Sequence, residues 1–217
     1  VVRDNAGEQV LEPGGELAGG AVVQLLLSRC TPDGLTALAA CEVGDMQCAA
    51  VVCLGMKGTM RHCLPLATLL HHEDARLVAL AENSLWQIWM RAGSDYGNTV
   101  LARAVDLISH ERYEHALRVL DGLCALEPRF AEPRHQRGIV LFSMGRIAEA
   151  AAAFRAALRR NRHHFSAALN LGHTFAERGN LRAALRHYQY ALHLHPRLEG
   201  IPEVVRELEA ALGRKGA

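Results

Sequence analysis

The chain has 217 residues, half of them hydrophobic and 5% aromatic, with a formal net charge of +1. That is ordinary for one or two soluble globular or repeat domains. No apolar run approaches the ~20 residues that a membrane-crossing helix needs, since "AVVQLLL" and "CAAVVCLGM" read as short core segments.

Residues 1–18 are acidic and glycine-rich, unlike a signal peptide, and are expected to form a flexible segment. The chain opens on Val1 rather than Met, consistent with an upstream segment, and any targeting signal within it, having been removed. Five of the six cysteines (Cys30, Cys41, Cys48, Cys53 and Cys63) crowd together without CxxC spacing. They read as reduced, small core hydrophobes of a cytoplasmic protein.

Residues 19–92 are expected to form helical pairs. "AVVQLLLSRC" begins this stretch as the second helix of a truncated unit. Sliding residues 34–55 by 31 onto 65–86 pairs Leu35 with Leu66, Leu38 with Leu69, Glu42 with Glu73, Met46 with Leu77, Ala50 with Ala81 and Leu54 with Leu85. The pattern resembles HEAT-like repeats, which implies two helices per unit joined by a turn; "HHED" at 71–74 is such a turn. Trp86 and Trp89 then share one helical face and are expected to be core where the last HEAT-like helix meets the first helix of the following array. The other reading is an exposed aromatic anchor for a partner. Residues 93–96, inside the turn-forming stretch "RAGSDYGNT", mark the junction.

Beyond it the period changes to 34. Residues 131–164 and 165–198 pair Gly138 with Gly172, Gly145 with Gly179, Ala150 with Ala184, Phe154 with Tyr188, Ala157 with Ala191 and Leu158 with Leu192. One step back, Ala104, Ala116, Leu120, Leu123 and Pro128 stand at matching places, with Glu111 where a glycine is expected. A fixed period with small residues at fixed places is what a stacked helix-turn-helix unit requires. Gly138 marks a tight helix contact, Gly145 a left-handed turn, and Pro196 ends a helix. Residues 97–198 thus resemble three tetratricopeptide repeats, departing from the pattern at Val100 and Arg134, where tryptophan is frequent, and at Arg162, where a proline closes the unit. The stretch "PEVVRELEAALGRKG", within 199–217, keeps its apolar residues on one face and reads as the capping helix of the array. The expected fold is all-α, a right-handed helical-hairpin solenoid: HEAT-like repeats, then tetratricopeptide repeats, then the cap.

Chemistry is sparse. HExxH, GxSxG, GxGxxG and GxxxxGK[ST] are all missing. His193 and His195 point apart on a helix, and His163 and His164 read as helix-terminal cations that favour the dipole. No metal, cofactor or catalytic residue is expected. Charge is uneven: residues 1–130 carry 10 Lys+Arg against 16 Asp+Glu, residues 131–217 carry 14 against 7, and the C-terminal part holds 7 of the 12 histidines. It should attract anions. Nucleic acid is nonetheless a weak candidate, because Arg155, Arg159, Arg160, Arg182 and Arg186 fall on second helices without aromatic platforms among them.

The resemblance implies a protein-interaction scaffold or adaptor that holds a partner segment against its first helices. Carried onto this sequence, the groove residues are Leu101, Val105, His135, Ile139, Phe142, Asn170, His173 and Glu177, with Asn170 matching the family's groove asparagine. Leu101 and Val105 stand where some members begin a Lys/Asn carboxylate clamp, so that activity is not carried over. The partner is expected to be a protein or peptide, with acidic groups near His135 and His173; self-association is left open. The alternatives are a HEAT-like lyase-type enzyme or its accessory subunit, and nucleic-acid binding through the basic half.

Overall fold

The computed structural model describes residues 2–3, 9–10, 16–41 and 44–214. Two short strands, Val2–Arg3 and Gln9–Val10, pair antiparallel; the other elements among the described residues are helical. The segment expected to be flexible otherwise lies largely outside the described residues. The chain divides into two compact units, Val1–Leu85 and Trp86–Ala217. The division falls inside a helix and upstream of the 93–96 stretch that composition suggests. No described helix is long and apolar enough to cross a membrane.

In the first unit, α1 (Glu16–Arg29), α2 (Pro32–Ala39) and α3 (Gly44–Lys57) are followed by a 3-10 turn (Met60–His62), α4 (Cys63–Leu69) and the start of α5 (Ala75–Met90), whose residues from Trp86 on belong to the second unit. The 31-residue period has a packing basis: Leu35 and Leu66, Ala50 and Ala81, and Leu54 and Leu85 are all fully buried. Turn 71–74 is polar as expected, with Asp74 N–H donating to His72 Nδ1. Among the described residues no cysteine forms a disulfide.

The second unit is a row of hairpins: α6 (Asp95–Ser109) with α7 (Tyr113–Leu126), α8 (Glu132–Ser143) with α9 (Ile147–Arg160), and α10 (Phe165–Glu177) with α11 (Leu181–Leu194). The last helix, α12 (Ile201–Arg214), sets Ile201 and Val205 against Ala184 and Tyr188, as a cap must. The repeated glycines are explained by contact. A Cβ at Gly138 would lie 2.5 Å from the Phe154 ring, and one at Gly172 would lie 2.6 Å from the Tyr188 ring. In the first repeat the corresponding pair is Ala104 and Leu120, where a smaller partner leaves room for a methyl group.

The turn after each first helix is the same Schellman motif. Arg112, Arg146 and Asn180 N–H reach back to the carbonyls of Leu107, Leu141 and Phe175, and Glu111, Gly145 and Gly179 N–H to those of Ile108, Phe142 and Ala176. The motif needs a left-handed residue, with φ of 71° at Gly145 and 69° at Gly179, and Glu111 adopts 56° in the degenerate copy. A non-glycine residue is strained there. Glu111→Gly is therefore expected to raise stability by up to about 1 kcal/mol, the gain being trimmed by the entropy of glycine in the unfolded chain. Chemical denaturation checks it, and a loss of stability would show that the Glu111 side chain contributes more than its backbone costs. Arg134, at a place where tryptophan is frequent, caps α7 instead: its guanidinium donates to Phe130 O at 2.7 Å and Cys124 O at 2.8 Å.

The structure around Ser94 closes the expected junction. Ser94 N–H and Oγ both donate to the Glu127 carboxylate, Gly97 N–H donates to Ser94 Oγ, and the Asn98 side chain bonds the backbone of Gly93 and Arg91. Residues 95–98 are the first turn of α6, so only a few residues separate α5 from the array.

Candidate functional site: a groove pocket and the buried carboxylate beside it

The first helices α8 and α10 enclose a pocket of about 100 Å³ lined by Ile139, Phe142, Ser143, Phe154, Asn170 and His173. Four of these were expected from the repeat register: Ile139, Phe142 and Asn170 are half-buried and His173 is exposed. Val105 is half-buried against the core cluster, and Glu177 is exposed. Two others are placed differently. Leu101 is fully buried among the core residues of the second unit, and His135 is 1% exposed, so neither side chain reaches a partner from the groove surface. Leu101 is drawn in because it is an apolar side chain on the face of α6 that also carries buried Ala104.

His135 is drawn in by a carboxylate. Glu132 stands in the first turn of α8, where the helix dipole favours an anion, and it is completely buried. Its Oε1 accepts from His135 Nδ1 at 3.0 Å and from Gln136 Nε2 at 2.8 Å; its Oε2 accepts from His164 Nε2 at 2.9 Å. Burial alone would push the Glu132 carboxyl up, but the two imidazoles beside it outweigh burial and hold it well below its ordinary value. An ionised carboxylate only accepts, and these three donors satisfy it.

The far sides of the rings fix the tautomers. His164 is the N-cap of α10, and its Nδ1 accepts from Ala167 N–H at 3.3 Å, so its proton is on Nε2, facing Glu132. Burial pushes the His164 pKa down, with neighbouring His135 acting in the same direction. This corrects the reading of His164 as a helix-terminal cation: α9 has already ended at Arg160, and the ring is a neutral, fully buried acceptor for the next helix. His135 Nε2, opposite Glu132, faces Asn170 Nδ2 and Ser166 Oγ, each at 3.2 Å.

The tryptophans complete this cluster. Trp89 is 2% exposed and stacks on His164 with ring centroids 4.4 Å apart, while Trp86 lies 5.8 Å from His135 and 5.9 Å from Phe165. The core reading of Trp89 holds, but the rings it meets are Trp86 of its own helix and His164 and Phe165 at the start of α10 rather than any of α6.

Among the described residues, Glu132, His135 and His164 form the one group of metal-ligating types whose donor atoms come within 4.8 Å of one another. Hydrogen-bond accounting explains the group without an ion. Ligation through His164 Nε2 would leave the Ala167 N–H facing a protonated Nδ1. Register also counts Glu132 and Ser166 among the first-helix groove positions, yet Glu132 is completely buried; the i, i+3 spacing could have suggested its contact with His135. The contribution of His164, 32 residues away, had no local signal.

In the groove itself, His173 Nδ1 and the Tyr188 hydroxyl are hydrogen-bonded at 2.8 Å, and desolvation on this inner side of the ring pushes the His173 pKa down although its outer edge is exposed. The five arginines are exposed on α9 and α11, as expected; Arg155 lies over the Phe175 ring and Arg160 donates to Pro128 O.

Comparison with known proteins agrees with the helical-hairpin fold. Residues 135–199 match the family model for the tetratricopeptide repeat. The matched stretch spans α8 to α11, two hairpins similar to tetratricopeptide repeats. Similar solved structures include the first TPR of Spaghetti (RPAP3) bound to the HSP90 peptide SRMEEVD, 18% identical over 56% of this chain and 96% of that one, with a TM-score of 0.53. Another is the first TPR domain of human RPAP3, 18% identical over 57% and 98%, with a TM-score of 0.52. A third is the Yersinia enterocolitica type III secretion chaperone SycD in complex with a peptide of the translocator YopD, 18% identical over 58% and 99%, with a TM-score of 0.51. At these identities the likeness is one of fold. No curated protein sequence matches the chain.

Proposed function

We propose that the protein is a non-catalytic adaptor that holds a partner's peptide segment in the concave groove of its tetratricopeptide array. The observation that carries this reading is the pocket between α8 and α10, which has apolar walls from Ile139, Phe142 and Phe154 and polar groups at Asn170 and His173. An apolar cleft with a few polar groups suits a side chain anchored beside a hydrogen-bonded backbone. Two of the similar folds, SycD and Spaghetti, are described with bound peptides, which supports the same use here. The partner segment brings an apolar side chain to the pocket. A preference for acidic groups now rests on the basic charge of residues 131–217, because His135 is inside the core and desolvation disfavours a charge on His173.

An enzymatic reading is disfavoured because Glu132, His135 and His164, the residues of catalytic type that do converge, are at most 1% exposed and out of reach of a substrate. The test is selection of peptides from a random-peptide display library on the intact chain, followed by affinity measurement with Ile139→Asp. A charge in the apolar wall should weaken binding about tenfold or more. Unchanged affinity in a variant with wild-type circular dichroism and Tm would move the site off the groove.

A further inference from the structure

We infer that Glu132, acting through His135, sets the orientation of the Asn170 side-chain amide, so that Asn170 presents a hydrogen-bond acceptor to the groove and selects a partner group that donates an N–H there. The inference rests on the groove reading above for its partner, but not for its geometry. Ionised Glu132 takes hydrogen bonds from both imidazoles, so His135 carries its proton on Nδ1, 3.0 Å from Oε1. Its Nε2 faces Asn170 Nδ2 and Ser166 Oγ, each at 3.2 Å; an amide NH₂ only donates, so the Nε2 lone pair is the acceptor there, while the Ser166 hydroxyl can turn either way. Rotating the amide by half a turn would set Asn170 Oδ1 against that lone pair, two acceptors facing each other beside a buried ring.

With Nδ2 turned towards His135, Asn170 Oδ1 and the second amide hydrogen remain for the pocket, where Asn170 is a lining residue beside His173 and Ile139. That pairing of acceptor and donor matches the N–H and C=O of one peptide unit in an extended chain. Asn170 is thus the binding residue, and Glu132 and His135 are positioning residues.

The geometry also states what an isosteric change does. A glutamine at 132 has one acceptor and one donor end, so one of the two histidines must become an acceptor towards it. His164 is not free to change, because its Nδ1 already accepts from Ala167 N–H. His135 must therefore change tautomer, moving its proton to Nε2. Asn170 then flips to accept that proton and shows its NH₂ to the groove instead of its oxygen.

The experiment is heteronuclear NMR of the intact, ¹⁵N-labelled chain at about pH 7.5, above the ordinary histidine range, reading the tautomer of each ring. Alongside it, binding is measured for one peptide recovered from the random-peptide library on wild type. Wild type should show His135 protonated on Nδ1 and His164 on Nε2, and Glu132→Gln should move the His135 proton to Nε2. Peptide affinity should fall about tenfold in Glu132→Gln, and Glu132→Gln should have no further effect in an Asn170→Ala background. Wild-type His135 protonated on Nε2 would overturn the inference even if Glu132→Gln does not fold, and so would an equal loss of affinity with and without Asn170. Failure of the groove reading is separate: it appears as Ile139→Asp binding the peptide normally, and it leaves the ring tautomers unchanged.

Discussion

Glu132→Ala is expected to destabilise the tetratricopeptide array by about 2–5 kcal/mol. The side chain is fully buried and accepts three hydrogen bonds, from His135, Gln136 and His164. Alanine leaves the two buried N–H groups of the imidazoles facing a void. Glu132→Gln keeps the volume and one acceptor, and should retain a large part of the stability. Urea denaturation of the three proteins orders them, and an alanine variant within error of wild type would show that the network adds no stability.

The same cluster sets the direction of the pH dependence. His164 has its pKa pushed below 6.5 by burial, so just below pH 6.5 the unfolded chain binds a proton that the folded chain does not. Its contribution is complete above pH 6.5 and is lost as pH falls towards the folded value. Glu132 is held below its ordinary 4.5; its contribution is complete above pH 4.5 and is lost as pH falls below that. Both act in the same sense. The Tm should therefore fall in two stages on acidification, the first beginning near pH 6.5, and Glu132→Ala should remove the stage below pH 4.5 that belongs to the carboxylate.

Gly172→Leu is expected to cost upwards of about 3 kcal/mol. A Cβ alone would sit 2.6 Å from two atoms of the Tyr188 ring. That ring cannot move aside cheaply, since it is 2% exposed and its hydroxyl is hydrogen-bonded to His173 Nδ1. The clash has a specific remedy in the same chain. Because Ala104 and Leu120 occupy the corresponding places in the first repeat and are both fully buried, Gly172→Ala should be rescued by Tyr188→Leu. Thermal denaturation of the single and double variants tests this: a double variant no more stable than Gly172→Ala would show that the ring is not what excludes the methyl group.

The repeat architecture was legible in the sequence because it depends on contacts that recur. Each hairpin meets its neighbours in the same way, so the crossing at Gly138 and Gly172 and the left-handed turn at Gly145 and Gly179 return every 34 residues. Such contacts join residues of one hairpin or consecutive residues of one turn, and their steric demand appears directly as residue size. Even the exception at Glu111 kept the turn geometry, because the backbone hydrogen bonds of the Schellman motif are independent of the side chain.

Asn170, Ile139, Phe142 and His173, which register assigns to first-helix faces, line one pocket. Register could not say which first-helix residues would be claimed by the interior. Leu101 and His135 occupy groove positions by count, yet one joined the apolar core and the other turned to Glu132. His164 reads as a cation at the end of a helix and is instead a neutral cap at the start of the next one, shielded by Trp89. These outcomes depend on the direction of hydrogen-bond donors and on which rings meet across 30 residues or more. Spacing records neither, because a histidine serves equally well as cation, donor or acceptor until its neighbours in three dimensions choose.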